Sequence, residues 1–287
     1  MSPADPWSSI WLAWTSGLST FDVAFSLTAA ISSVALFGAS FVYFVVDCSP
    51  SLRRYKLQPT KVPTLAFYIK CLKLSLANQV ILHAPVLAAI VYFYGDELGT
   101  FRVSTPLPSV WQVVVECVGF ALCEDCLFYW IHRFLHWKAI YKYVHKVHHE
   151  FTAPFGLTAV YTHPAEEFLT MMATLSGPLL FGSHILCLWT WLCLRLVETV
   201  DSHSGYEFPF TLSRCIPLQS GPATHDLHHE KYDCNYGSMF PFWDWICGTS
   251  ASSQARQSAK PRNTAKWSFR PLEVWKSWKM SPKWLQS

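Results

Sequence analysis

Residues 110–151 read VWQVVVECVGFALCEDCLFYWIHRFLHWKAIYKYVHKVHHEF, an apolar stretch that runs without a break into five histidines within 18 residues. The spacing predicts a helix over 110–131. At about 1.5 Å per residue, some 20 apolar residues cross the roughly 30 Å of bilayer hydrocarbon. The stretch nevertheless carries Glu116, Glu124 and Asp125. Carboxylates at that depth are costly unless they face protein or water, so one side of this helix must look inward on polar work.

The rest of the chain has the same character. Hydrophobic residues make up 51% and charged residues 14% of 287, with a mean hydropathy of +0.20, which points to a membrane protein. Further spans are expected at 23–46 and at 74–94, the latter interrupted by His83 and Pro85. An apolar zone at 168–198 is broken at Ser176–Pro178 and Gly182–His184 and reads as a helical hairpin. The expected fold class is therefore all-α: a polytopic membrane protein of about four transmembrane helices or helical hairpins, with a cytosolic, histidine-rich, di-metal helical region. The expected organisation is an N-terminal membrane region over 1–109, a catalytic region over 110–250 and a polar, basic tail over 251–287.

Charge placement sets the expected orientation. The first 22 residues hold no Lys or Arg, whereas Arg53, Arg54, Lys56 and Lys61 follow the first span, and Arg133, Lys138, Lys142 and Lys146 lie among the histidines. By the positive-inside rule the N-terminus is lumenal and the histidines are cytosolic. The start has no basic segment of the kind that opens a secretory signal. A net charge of +3 without a dense basic tract argues against a nucleic-acid partner. The ten cysteines are scattered through apolar segments and read as buried thiols, including the Cys123/Cys126 pair in CEDC.

Eleven of the 12 histidines fall between 132 and 229. Three clusters stand out: His132 and His136; His145, His148 and His149; His225, His228 and His229. On a helix, steps of three and four return to one face, so each cluster is expected to aim its imidazoles together. A single HxxxH is what two histidines at helical spacing give by chance. Three clusters, two of them HxxHH, point to metal, and eight imidazoles exceed what one ion takes, so two metals are expected. His163 in YTHPAEE and His203 in VDSHSGYEFP are further candidate ligands. His83 and His184, in apolar segments, read as packing or interface residues. Ligating imidazoles need a partner for the second ring nitrogen, and Glu124, Asp125, Glu166, Glu198, Asp201, Asp226 and Asp244 are placed to supply it. No phosphate loop, GxSxG elbow or HExxH is present.

The segments YWIHRFLH, YKYVHKVHHEFTAPFGLTAVYTHPAEE, LRLVETVDSHSGYEFP, HDLHH and NYGSMFPFWDWICGT resemble those of the fatty acid hydroxylase superfamily, and within it most the C-4 methylsterol monooxygenases. The resemblance covers roughly residues 40 to 250. It implies an endoplasmic-reticulum enzyme with two non-haem iron ions, fed electrons from NAD(P)H through cytochrome b5 or its reductase, acting on a sterol with O2 beside other sterol C-4 demethylation enzymes. It carries the three histidine boxes onto His132, His136, His145, His148, His149, His225, His228 and His229, with His163 and His203 as the two additional histidines. A sterol would enter from the bilayer into a cavity between the spans, for which Phe151, Phe155, Tyr161, Trp189, Trp191 and Tyr206 are the candidate lining. The alternatives are another lipid hydroxylase or desaturase of the same superfamily, such as a cholesterol 25-hydroxylase-like enzyme. From a different class stands a membrane metal transporter, which would place its ligands near mid-membrane.

Overall fold

The computed structural model describes residues 6–94, 101–210 and 219–251. From residue 252 the expected tail lies outside the described residues. Eight helices carry the fold: α1 (Pro6–Thr15), α2 (Asp22–Asp47), α3 (Leu65–Phe93), α4 (Val110–Leu135), α5 (Pro164–Phe181), α6 (Ile185–Ser202), α7 (Pro222–Lys231) and α8 (Phe242–Cys247). Short helical turns fill several connections, and the described residues contain no strand, only isolated bridges at Lys56–Tyr206 and Arg102–His184.

Among the described residues, α2 and α3 are long and apolar enough to cross a bilayer. Their outward faces stay bare: Val34, Phe41, Val80 and Ile81 are each more than 60% exposed, as lipid-facing residues must be. The second span is longer than hydropathy suggested, starting at Leu65 rather than 74, because Lys70 and Lys73 dilute the apolar signal of its first turns. Thr64 caps that start by accepting from the Phe67 N–H. Pro85 does not break the helix, since the preceding turn, Gln79–His83, widens to a π-helical one.

The expected hairpin forms as α5 and α6, with one break rather than two. Pro178 lies inside α5. Its missing N–H would orphan the Thr174 carbonyl one turn back, but that carbonyl accepts from Trp191 Nε1 on α6 at 2.9 Å. The chain turns instead at Gly182, whose φ of 59° suits a residue without a Cβ. His184 then caps α6, its Nδ1 accepting from the Leu186 N–H.

Helix pairs α4/α5 and α2/α6 are the main packing units. On α4/α5 the backbones approach so closely that a Cβ on Gly177 would lie 2.6 Å from Phe120 Cα. At the C-terminal end of α2, buried Asp47 accepts from Lys56 Nζ (2.9 Å), Tyr68 OH (2.6 Å) and Tyr206 OH (2.9 Å). Backbone bonds from Leu57 N to Gly205 O and from Glu207 N to Tyr55 O fasten the same loop to the segment after His203. The described cysteines are free thiols.

Gly177→Ala should lower the thermal midpoint of the purified protein, because the backbone it meets cannot yield; the loss should be about 1–3 kcal/mol by equilibrium or kinetic unfolding in detergent.

Candidate metal centre

Four elements meet at one end of the helical bundle: the C-terminal end of α4, the irregular segment 145–151, the end of α6 and the whole of α7. They bring nine of the ten candidate histidines into two groups. His132, His136, His145, His149 and His228 form one; His148, His203, His225 and His229 form the other, with the ligand atoms of each group within 4.8 Å of one another. Seven of these rings are buried, and His136 and His225 are half-buried.

The HxxHH motifs do not aim their imidazoles one way, as helical spacing alone suggested. His145 and His149 join the first group while His148 joins the second; His225 and His229 join the second while His228 joins the first. The geometry of a helical turn explains this. Residues four apart differ by about 40° around the axis, but adjacent residues differ by about 100°, so neighbouring histidines must face different points.

Backbone carbonyls fix the tautomers. His132 Nδ1 donates to Tyr236 O (2.8 Å), His228 Nδ1 to Cys234 O (2.7 Å), His203 Nδ1 to Thr199 O (2.8 Å) and His229 Nδ1 to Phe151 O (3.2 Å). In a neutral ring each of these leaves Nε2 as a lone pair. Those lone pairs converge: His132 Nε2 lies 3.1 Å from His145 Nε2, His228 Nε2 3.1 Å from His149 Nε2, and His203 Nε2 2.8 Å from His225 Nε2, which is itself 3.2 Å from His229 Nε2. A proton on one ring relieves a single contact; a cation within the group relieves all of them. The donor set therefore fits a metal.

Electrostatics agree. Burial first, and then the neighbouring rings, hold His145, His149, His228 and His229 well below the ordinary imidazole range. His203 is lowered to about 3 by burial, against its bond to Thr199 O. Neutral rings are what a metal requires.

His163 is not brought to either group. Its Nδ1 accepts from the Ala165 N–H at 3.1 Å, so it caps α5 ahead of Pro164, a position that a histidine followed by proline suits. The expected carboxylate partners are also elsewhere. Glu124 and Glu198 grip Arg195, Asp201 accepts from Tyr43 OH, Asp226 accepts from Gln58 Nε2, and Asp125 accepts from the Met239 and Phe240 N–H groups. Asp244 accepts from the Tyr236 and Gly237 N–H groups. Glu166 alone of the seven touches an imidazole, its Oε1 2.8 Å from His145 Nδ1. The carbonyl acceptors carry no sequence signal. Arg195 does: a lone arginine in an apolar run, three residues before Glu198, demands a buried partner.

A cavity of about 410 Å³ reaches both groups, touching His132 and His145 of one and His148, His203 and His225 of the other. This size is ordinary for a small-molecule site. Leu36, Leu87, Met171, Leu175 and Leu192 supply apolar wall from α2, α3, α5 and α6. None of the six expected aromatics lines it. Phe151, Phe155 and Tyr161 pack with Tyr68 and Leu36 in one core, Trp189 and Trp191 in another, and Tyr206 is occupied at Asp47. These six rings fill the core, and the described aromatic carbocycle at the cavity wall is Phe128. His83, expected to pack, pairs at 2.8 Å with Glu167 at the cavity wall.

A family model described as fatty acid hydroxylase matches residues 117–249. A protein of Dictyostelium discoideum named as a putative methylsterol monooxygenase is 38% identical over 222 residues, 77% of this chain and 82% of the relative. Methylsterol monooxygenase 1 of Rattus norvegicus is 35% identical over 256 residues, 88% of this chain and 85% of the relative. The C-4 methylsterol oxidase of Schizosaccharomyces pombe is 35% identical over 248 residues, 84% and 81% of the two chains. No solved structure matches.

Two outcomes are expected. His149→Ala removes a donor from the first group only and His225→Ala from the second only, so elemental analysis should find bound metal falling from about two ions per chain to about one in each. For metal-free protein, the depressed imidazoles make the unfolded chain bind more protons than the folded one below the ordinary histidine value of about 6.5. Their contribution is complete above that pH and is lost as pH falls through the window down to about 3 for His203. The thermal midpoint of chelated protein should therefore drop on acidification from about pH 7 to about pH 5.

Proposed function

This chain belongs to the fatty acid hydroxylase family as a methylsterol monooxygenase-like oxidoreductase, and from that premise we propose that it oxidises the C-4 methyl group of a sterol in sterol biosynthesis, using O2. The observation that carries the reading is the meeting of two neutral histidine groups with one largely apolar cavity walled by the two long apolar helices. In this reading His132, His136, His145, His149 and His228 hold one iron ion, and His148, His203, His225 and His229 hold the second.

Iron held there would supply a site at which O2, reduced by external electrons, becomes an oxidant for an unactivated C–H bond, which no side chain provides. The chain's own residues do the rest. Tyr236, Cys234, Thr199 and Phe151 carbonyls hold their imidazoles in the ligating tautomer. The aliphatic wall orients a rigid apolar substrate and keeps water from the reacting carbon. Three successive oxidations take the methyl through alcohol and aldehyde to carboxylate. Electrons come from NAD(P)H through cytochrome b5 or its reductase, and other sterol C-4 demethylation enzymes take the product.

The proposed setting is the endoplasmic-reticulum membrane, with α4 and the α5–α6 hairpin completing about four membrane-embedded units. A lumenal N-terminus and cytosolic histidine groups agree with the basic residues Arg53, Arg54, Lys61, Lys142 and Lys146 around that end.

The test is sterol profiling by mass spectrometry in cells lacking their own C-4 methyl oxidase. Wild type should clear 4,4-dimethylsterols and His148→Ala should not. Persistence of 4,4-dimethylsterols beside folded, iron-loaded wild type would reject this substrate and turn attention to other lipids of the family.

A further inference from the structure

Most polar groups that face the cavity are committed to one another. Arg195 is held by Glu124 and Glu198 and bonds Ser238 Oγ; Glu167 takes His83 and Thr162; Trp189 Nε1 donates to Thr28 Oγ1. Among the described residues facing the cavity, one buried side-chain oxygen has no hydrogen-bond partner: Oε2 of Glu166. Glu166 is 3% exposed, and its other oxygen is the one beside His145 Nδ1. A buried oxygen left without a donor carries a desolvation cost that a ligand hydroxyl removes.

We propose that Glu166 Oε2 accepts the hydrogen bond of the substrate hydroxyl and so sets which sterol carbon meets the histidine groups. The proposal rests on the methylsterol reading and supplies what that reading lacks, a polar anchor. In a 4-methylsterol the hydroxyl sits on the carbon next to the one bearing the reacting methyl. Its acceptor must therefore lie beside the metal ligands and not at the far end of the cavity. Glu166 meets that condition through His145, and it stands at the start of α5, where Pro164 and the His163 cap fix the first turn. The hydrocarbon beyond the ring would then extend along Met171 and Leu175, which lie further along the same helix. One side chain thus sets one oxygen against a ligand imidazole and offers the other to the substrate.

The experiment compares a 4,4-dimethylsterol with its 3-deoxy analogue on iron-loaded full-length protein in detergent, measuring both equilibrium binding and kcat/KM. Wild type should prefer the hydroxylated sterol roughly 10- to 100-fold in both. In Glu166→Ala the preference should shrink to about twofold or less, with the 3-deoxy analogue bound as well as by wild type. Glu166→Gln, which keeps the shape and one carbonyl oxygen, covers the event that the alanine variant does not fold and should show a reduced preference. Iron content is measured in each, so that a lost His145 contact, which would slow both sterols equally and leave the ratio intact, is told apart from a lost anchor. A wild type that converts the sterol, together with an unchanged ratio in the variants, overturns the anchor alone. A wild type that binds and converts neither sterol overturns the methylsterol reading and the anchor with it.

Discussion

Nitrogen lone pairs brought together without protons repel, and the structure forces that arrangement on itself by giving the Nδ1–H groups of His132, His203, His228 and His229 to backbone carbonyls. Everything around the centre serves those four bonds. The Cys234–Tyr236 carbonyls must sit behind α4 and α7, so the loop that carries them is pinned twice. Asp244 collects the Tyr236 and Gly237 N–H groups and the Thr249 hydroxyl, while Asp125 reaches from α4 to the Met239 and Phe240 N–H groups. The carboxylates thus support the imidazoles one step removed: they hold the backbone that holds the rings.

A second constraint is charge inside an apolar body. Arg195 on α6 is buried between Glu124 on α4 and Glu198 on its own helix, at 2.6 Å from each. Such a cluster gains little over a well-packed apolar one, but removing one member strands a charge, so it ties α4 to α6 in one register. Lys56 and Asp47 do the same at the end of α2, where two tyrosine hydroxyls complete the carboxylate. The first of these ties lies at the cavity wall, where Glu124 and Arg195 both line the space; the second secures the end of α2. They fix the walls that α2, α4 and α6 present to the cavity, which aliphatic packing alone would leave free to slide.

Much of this was legible in the sequence, and the failures are instructive. Hydropathy located the helices α2, α4 and the α5–α6 pair because long apolar runs obey a simple average, although among the described residues only α2 and α3 are long and apolar enough to cross a bilayer. It shortened α3 because Lys70 and Lys73 lie in its first turns, where Lys70 pairs with Glu150. Histidine spacing picks out eight rings that do meet, since two HxxHH repeats beside an HxxxH exceed what chance gives, and the polar context of His203 adds the ninth. The same kind of context also admits His163, because an imidazole before a helix-starting proline looks the same in sequence whether it caps or ligates. The outer partners were misjudged for a related reason. Carboxylates are visible as letters and carbonyls are not, so the sequence offers Glu124, Asp125 and Glu198 in place of four backbone oxygens that any residue could have supplied. The six aromatics offered as cavity lining pack in the core instead, where their size fills space between helices.

The division of each HxxHH motif between the groups has a structural consequence. Since the outer pair of one motif serves the group that receives the middle histidine of the other, segment 145–149 and α7 are each committed to both groups at once. The separation of the two groups is then set by the turn geometry of two short segments, not by the docking of separate domains. The cavity touches histidines of both groups, so whatever fills it meets a single composite surface. The helices that form its walls also carry the ligands: α4 ends in His132 and the turn after α6 holds His203. A shift of α4 against α6 would move both the wall and the donors, and the Glu124–Arg195 tie is what opposes that shift. Shape of the apolar space and position of the nitrogen donors are for this reason one property of the fold.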